Sequence, residues 1–153
     1  MKKFKLVVIM CLVMTFLLVG CGDKTALTSA GFTETMEGKE FRVADVSSDY
    51  ADYDYIDSVT IAQSADGWQI EFYVLEDENY AQGMFNENKS FFESTKGNSS
   101  SESSVSVGNH SSYALTSGGV YMCVSRIDNT LIYTRVDSEY KNTVKDIVKE
   151  LGY

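Results

Sequence analysis

Along the chain the hydrophobic positions change period several times, and each change marks an element. An apolar run from Leu6 to Val19, broken only by Thr15, is 14 residues long, short of the roughly 20 that a membrane-spanning helix needs. Phe32 and Met36 then stand four apart, with Thr28 placed to cap a helix and Gly38 placed where a left-handed residue ends one. Gly31 weakens that helix. Phe41, Val43 and Val46 suggest a short strand behind it. From Ser58 to Leu75 the period is two: Val59 and Ile61, a break at Ala65-Asp66-Gly67, then Trp68, Ile70, Phe72 and Val74 alternating with Gln69, Glu71 and Tyr73. This predicts a hairpin with an Asp-Gly turn and one apolar face, with Trp68 in core or rim packing. Glu76 to Ser94 returns to helical period, capped by Asp77, with Tyr80, Ala81, Met84, Phe85, Phe91 and Phe92 on a stripe facing a sheet.

Thr95 to Ser104, TKGNSSSESS, has no apolar period and is expected to be a flexible loop. Beyond it, short apolar groups alternate with turn residues: Val105 and Val107, Gly108-Asn109, Tyr113 and Leu115, Ser117-Gly118-Gly119, Val120 to Ile127, Asp128-Asn129, and Leu131 to Val136. That spacing predicts a four-strand antiparallel meander. Asp137 to Leu151 is the clearest helix, with Asp137 or Ser138 as its cap. Tyr140, Val144, Ile147, Val148 and Leu151 form one face, Lys141, Lys145 and Lys149 the other, and Gly152 the stop. The order of elements predicts an α+β domain, an antiparallel sheet of about five to six strands with two or three helices packed on one face. Its core is expected to draw on Phe32, Met36, Val59, Ile61, Ile70, Phe72, Val74, Ala81, Met84, Phe85, Phe92, Leu115, Met122, Val124, Ile132, Val144, Ile147, Val148 and Leu151.

Charge changes the meaning of the first apolar run. Lys2, Lys3 and Lys5 precede it and Gly20 and Cys21 close it, the order of a secretion signal. Leu18-Val19-Gly20-Cys21 resembles the lipobox of bacterial lipoproteins. That resemblance implies cleavage before Cys21, a diacylglyceryl group on the Cys21 thiol, and an address at the extracytoplasmic face of the cell membrane. Two acyl chains on one residue are enough for stable attachment. The resulting organisation is a signal peptide over 1–20, a lipidated tether over 21–27 and a single domain over 28–153. The whole chain carries 13 Lys and Arg against 22 Asp and Glu. Loss of the three signal lysines leaves ten bases, a net charge of −12 over 133 residues. Such a surface is repelled by phosphate backbones and anionic headgroups, so nucleic acid is excluded as a partner and the membrane is met through the lipid alone.

The most distinctive later stretch is Asp45 to Asp57, DVSSDYADYDYID, in which aspartates interleave with Tyr50, Tyr53 and Tyr55. Asp49, Asp52, Asp54 and Asp57 are candidate calcium ligands, because hard cations gather several carboxylate oxygens. An EF-hand loop opening at Asp52 would need glycine at its sixth position and glutamate at its twelfth, and here those are Asp57 and Gln63. The tyrosines make the same stretch a candidate recognition loop. No catalytic set assembles: His110, the single histidine, lies in the polar turn GNHSS, and no phosphate loop or zinc pattern is present. Cys123, in the apolar run Val120 to Val124, reads as a buried hydrophobe. The layout resembles small uncharacterised lipoproteins of Gram-positive bacteria, a resemblance that implies no activity. The expectation is a non-enzymatic envelope module without cofactor, binding another envelope protein or a small ligand. The alternative is a calcium-dependent binding or structural module built on residues 45–57.

Overall fold

A computed structural model describes residues 23–153, so the expected signal segment and Cys21 lie outside the described residues. Thr28 begins the first helix, α1 (Ser29–Glu37), its hydroxyl accepting from the Gly31 N–H at 3.1 Å. Gly38 keeps helical angles instead of ending the helix left-handed. The turn comes two residues later at Glu40, with φ of 65°, where the Phe41 N–H reaches back to the Met36 carbonyl. Strand β1 (Arg42–Asp45) follows, then a single 3₁₀ turn at Ser47–Tyr50. The expected hairpin is present as β2 (Ile56–Gln63) and β3 (Gln69–Leu75), with Gly67 at φ 88° in its turn, a conformation that glycine adopts without steric cost.

Asp77 caps α2 (Glu78–Ser94), accepting from the N–H groups of Asn79 at 2.7 Å and Tyr80 at 3.0 Å. The meander is β4 (Ser100–Val107), β5 (His110–Ser117), β6 (Val120–Ile127) and β7 (Thr130–Asp137). The final helix α3 (Lys141–Glu150) starts later than its sequence suggests. Ser138–Tyr140 forms a 3₁₀ turn first, and neither Asp137 nor Tyr140 caps with its side chain. The Ser138 N–H is held instead by the Gly119 carbonyl at 2.8 Å.

All seven strands join one antiparallel sheet in the order β1-β2-β3-β7-β6-β5-β4, one or two strands more than the expected five to six. The first meander strand, expected only around Val105 and Val107, starts earlier, at Ser100, and is mostly serine. Ser100 to Val107 pairs with Ser117 to His110 along its whole length, although part of it reads as a flexible loop. As an edge strand it is exposed almost throughout, so its first five residues carry no apolar alternation to announce them. His110, expected in a turn, is the first residue of β5 and is buried.

The expectation of helices on one face is corrected by the division of the core. Phe32 and Met36 of α1 and Val144, Ile147 and Val148 of α3 meet Ala62, Ile70, Phe72, Tyr121, Cys123 and Ile132. Ala81, Phe85 and Phe92 of α2 meet Val59, Tyr73, Leu75, Leu115, Met122, Val124 and Leu131. Successive residues of a strand point to opposite faces, so α2 covers one face of the sheet and α1 with α3 the other. Tyr73, read as polar-facing, is buried under α2 with Leu75. Of the expected core, Ile61, Val74 and Met84 are only partly covered, while Tyr113, Tyr121, Ile127, Val136 and Tyr153 join it. The stretch expected as tether also differs. Ala26 and Leu27 pack on the first core, and Lys24 is tied by backbone hydrogen bonds to the Asn109 side chain at 2.8 and 2.7 Å.

Candidate functional site

The connection between β1 and β2 carries the three tyrosines and is fixed by its own hydrogen bonds. Asp45 accepts from both the N–H and the hydroxyl of Ser47, which holds its carboxyl below the usual range. The Ser47 hydroxyl in turn accepts from the Val59 N–H at 3.0 Å. Further along, the Tyr53 N–H binds the Tyr50 carbonyl, the Ile56 N–H binds the Tyr53 carbonyl, and the Tyr55 carbonyl accepts from the Glu76 N–H. Each tyrosine is therefore presented from a fixed backbone. The connection lies on the same face of the sheet as α2, because Val46, Tyr50, Tyr55 and Ile56 all pack against the core beneath that helix.

Between this connection and the first half of α2 is a cleft of 480 Å³. Tyr50, Tyr53 and Tyr55 form one wall. Tyr80, Gly83, Met84, Glu87 and Asn88 form the other, with Ile56 and Asn79 completing the lining. The rings make a continuous array. Tyr55 stacks on Tyr80 at 5.1 Å between centroids, Tyr53 meets Tyr55 edge-on at 5.9 Å, and Tyr50 lies 6.4 Å from Tyr53. Tyr50 is anchored below by a T-shaped contact with Tyr73 at 5.9 Å. The Tyr73 hydroxyl donates to Glu71, and burial first, then that carboxylate, raises the Tyr73 pKa well above the ordinary phenol value. Tyr53 and Tyr80 remain 50% and 45% exposed, so their rings are available to a ligand.

The structure thus brings together all three tyrosines singled out in the sequence. Tyr80, Gly83 and Glu87 of the opposite wall were missed, since Tyr80 reads as part of the sheet-facing stripe. The signal was present: positions 80, 83, 84, 87 and 88 form one helical face at i, i+3, i+4, i+7 and i+8, distinct from the buried Ala81, Phe85 and Phe92. The candidate calcium ligands do not converge. Asp49, Asp52, Asp54 and Asp57 are exposed, Asp57 lies at a register irregularity in β2, and no group of three or more acidic, histidine or cysteine side chains able to hold a metal ion forms among the described residues.

The remaining candidates are structural. The His110 Nε2 lies 3.1 Å from the Ser125 hydroxyl, but Ser125 is wholly buried and no substrate reaches it. Burial, then Lys24 and Arg126, lowers the His110 pKa. Cys123 is 3% exposed, and burial pushes its thiol up to about 11, the inert setting expected from its neighbours. On α3, Lys141 places its ammonium 5.8 Å from the centroid of the Tyr121 ring. No helix among the described residues is long and apolar enough to cross a membrane. Comparison with known proteins returned no match among family models, curated proteins or solved structures.

Proposed function

We propose that this protein is an extracytoplasmic lipoprotein, anchored to the cell membrane through Cys21, that works as a non-enzymatic binding module. The single observation that carries the binding part is the convergence of Tyr50, Tyr53, Tyr55 and Tyr80 on one cleft. Its volume falls in the range of small-molecule sites, and its wall is mainly aromatic and apolar with a few polar groups, Asn79, Glu87 and Asn88. Neither a nucleophile with an adjacent base nor a cofactor pattern lines it, which favours recognition over chemistry. The address rests on the basic, apolar and lipobox segments of the first 21 residues.

Two measurements test this. A Cys21→Ala variant should lose fatty-acid labelling and membrane retention; retention of both sinks the lipoprotein reading. For the cleft, a photo-crosslinking residue in place of Tyr53, in the tethered protein in its own membrane, should give specific adducts. Gly83→Leu, which fills the cleft from the opposite wall, should abolish them. An adduct pattern unchanged by Gly83→Leu refutes the cleft as the binding site.

A further inference from the structure

The kind of molecule the cleft takes follows from three features of its wall. Aromatic faces come first: Tyr53 and Tyr80 stand half-exposed, with Tyr55 between them, stacked on Tyr80 and edge-on to Tyr53. A tyrosine face carries negative charge density and attracts a cation placed over it. Sign is the second feature. No lysine or arginine lines the cleft, and none occurs between Arg42 and Lys89, a stretch holding eleven Asp and Glu. Among the lining residues Glu87 bears the one formal charge. The local field is therefore negative, and an anionic ligand is repelled.

The third feature is the apolar part of the wall, where Met84 and Ile56 stand among the rings. A primary ammonium is strongly hydrated and must recover those hydrogen bonds on binding. A methylated ammonium spreads its charge over an apolar shell, loses little on leaving water, and fits a wall of rings with Met84 and Ile56. Gly83 contributes room: a Cβ built there meets nothing within 4 Å, so the α2 wall is open where a side chain would intrude.

We infer that the tyrosine cleft binds a small water-soluble molecule carrying a quaternary ammonium group of the choline type. This deepens the binding-module reading and rests on it. Glu87 and the exposed aspartates of the connection provide long-range attraction, and the tyrosine faces provide the contact.

The test uses the full chain purified in a maltoside detergent, which has no ammonium group. Binding is followed by calorimetric titration and by saturation transfer to the methyl resonance of the ligand. The probes are choline, tetramethylammonium, ethanolamine and 3,3-dimethylbutan-1-ol, the neutral isostere of choline. Choline and tetramethylammonium should bind. The neutral isostere should bind at least about tenfold more weakly, since it retains the shape and loses the cation–π and carboxylate attraction. Tyr80→Leu, which keeps apolar bulk and removes a ring, should weaken choline about fivefold. Tyr80→Phe should not, and Gly83→Leu should abolish binding with the circular-dichroism spectrum unchanged.

Equal binding of choline and its neutral isostere overturns the cation inference while leaving an apolar binding cleft. Equal binding of ethanolamine and choline overturns the quaternary assignment. Binding to phosphatidylcholine vesicles without binding to free choline also overturns it, in favour of a membrane headgroup. No binding of any probe, together with Tyr53 adducts that Gly83→Leu abolishes, overturns the ligand class and leaves the cleft reading standing.

Discussion

Gly83 allows a sharp physical test, because stability and ligand binding should respond to it in opposite directions. It lies inside α2, is exposed, and has open space where a Cβ would stand. Glycine in an exposed helix interior is less favourable than alanine by roughly 0.8–1 kcal/mol, mainly through the freedom it retains when unfolded. With an unfolding entropy of about 2.1 cal/mol/K per residue over the described domain, 1 kcal/mol corresponds to a rise of about 3–4 °C in Tm. Gly83→Ala should therefore melt that much higher, while its methyl narrows the cleft and weakens whatever binds there. Gly67→Ala is the matched control. A Cβ at Gly67 also meets nothing within 4 Å, yet φ there is +88°, and a left-handed backbone costs an L-residue about 1–2 kcal/mol. Equal space should thus give opposite signs. The assay is thermal unfolding by circular dichroism, supported by urea midpoints at constant slope. A Gly83→Ala variant that melts lower, or a Gly67→Ala variant that melts higher, refutes the assignment of these two backbone states.

The remaining predictions concern the cores, pH and cations. Phe32→Ala, which removes a wholly buried ring stacked 5.0 Å from Phe72, and Phe92→Ala on the other face should each cost about 3–5 kcal/mol. Because both cores share the sheet, each variant should still unfold in one transition by calorimetry; two separated transitions would mean independent units. Burial holds the protons of Cys123 up to about 11 and of Tyr113 and Tyr153 up to about 12, above ordinary values of 9.0 and 10.0. The folded state therefore binds these protons more tightly than the unfolded one, and stability present below pH 9 should decline as pH rises from 9 toward 12. His110 works in the opposite sense. Its lowered pKa favours the neutral ring in the fold, so its contribution is present above pH 6.5 and lost as pH falls below it. His110→Gln should flatten that part of a urea-midpoint profile, and an unchanged slope counts against the buried setting. Millimolar calcium against chelator should leave Tm unmoved, given that Asp49, Asp52, Asp54 and Asp57 do not converge; a rise of several degrees would restore the cation reading.

Elements announced by clean periodicity were legible from the sequence. Thr28 and Asp77 cap the helices they precede, Asp66-Gly67 turns the hairpin, and the strands from His110 to Asp137 run between the turns their glycines and asparagines mark. The faces were harder to read, for a physical reason. β6, VYMCVSRI, is buried at every position but the first, and an apolar run such as its Val120 to Val124 is how a strand covered on both sides reads. Its alternate residues enter both cores, Tyr121 and Cys123 one and Met122 and Val124 the other, as a sheet covered on both faces requires. Gln69, Glu71 and Tyr73 gave β3 an apparent wet side because Tyr73 is amphipathic. Its ring is buried under α2 while its hydroxyl is satisfied by Glu71.

The site was legible only by halves, and which half depended on where the chain folds back. Tyr50, Tyr53 and Tyr55 are neighbours in sequence, so their clustering needs no tertiary information. Tyr80 reaches them because β2 and β3 pair through Ile56 and Leu75, which sets the start of α2 beside the end of the connection, with the Glu76 N–H on the Tyr55 carbonyl. Asp77 then fixes the helix start, and with it the direction in which Tyr80 and Gly83 point. Removing the cap should thus act on binding as well as stability. Asp77→Ala should lower stability by about 1 kcal/mol and loosen the first turn that presents Tyr80, weakening the cleft's ligand more than Asp66→Ala does in the distant hairpin turn. Titration of both variants at matched fractions folded decides the point. Equal affinities would mean that the Tyr80 wall is held by its stacking on Tyr55 and not by the helix start.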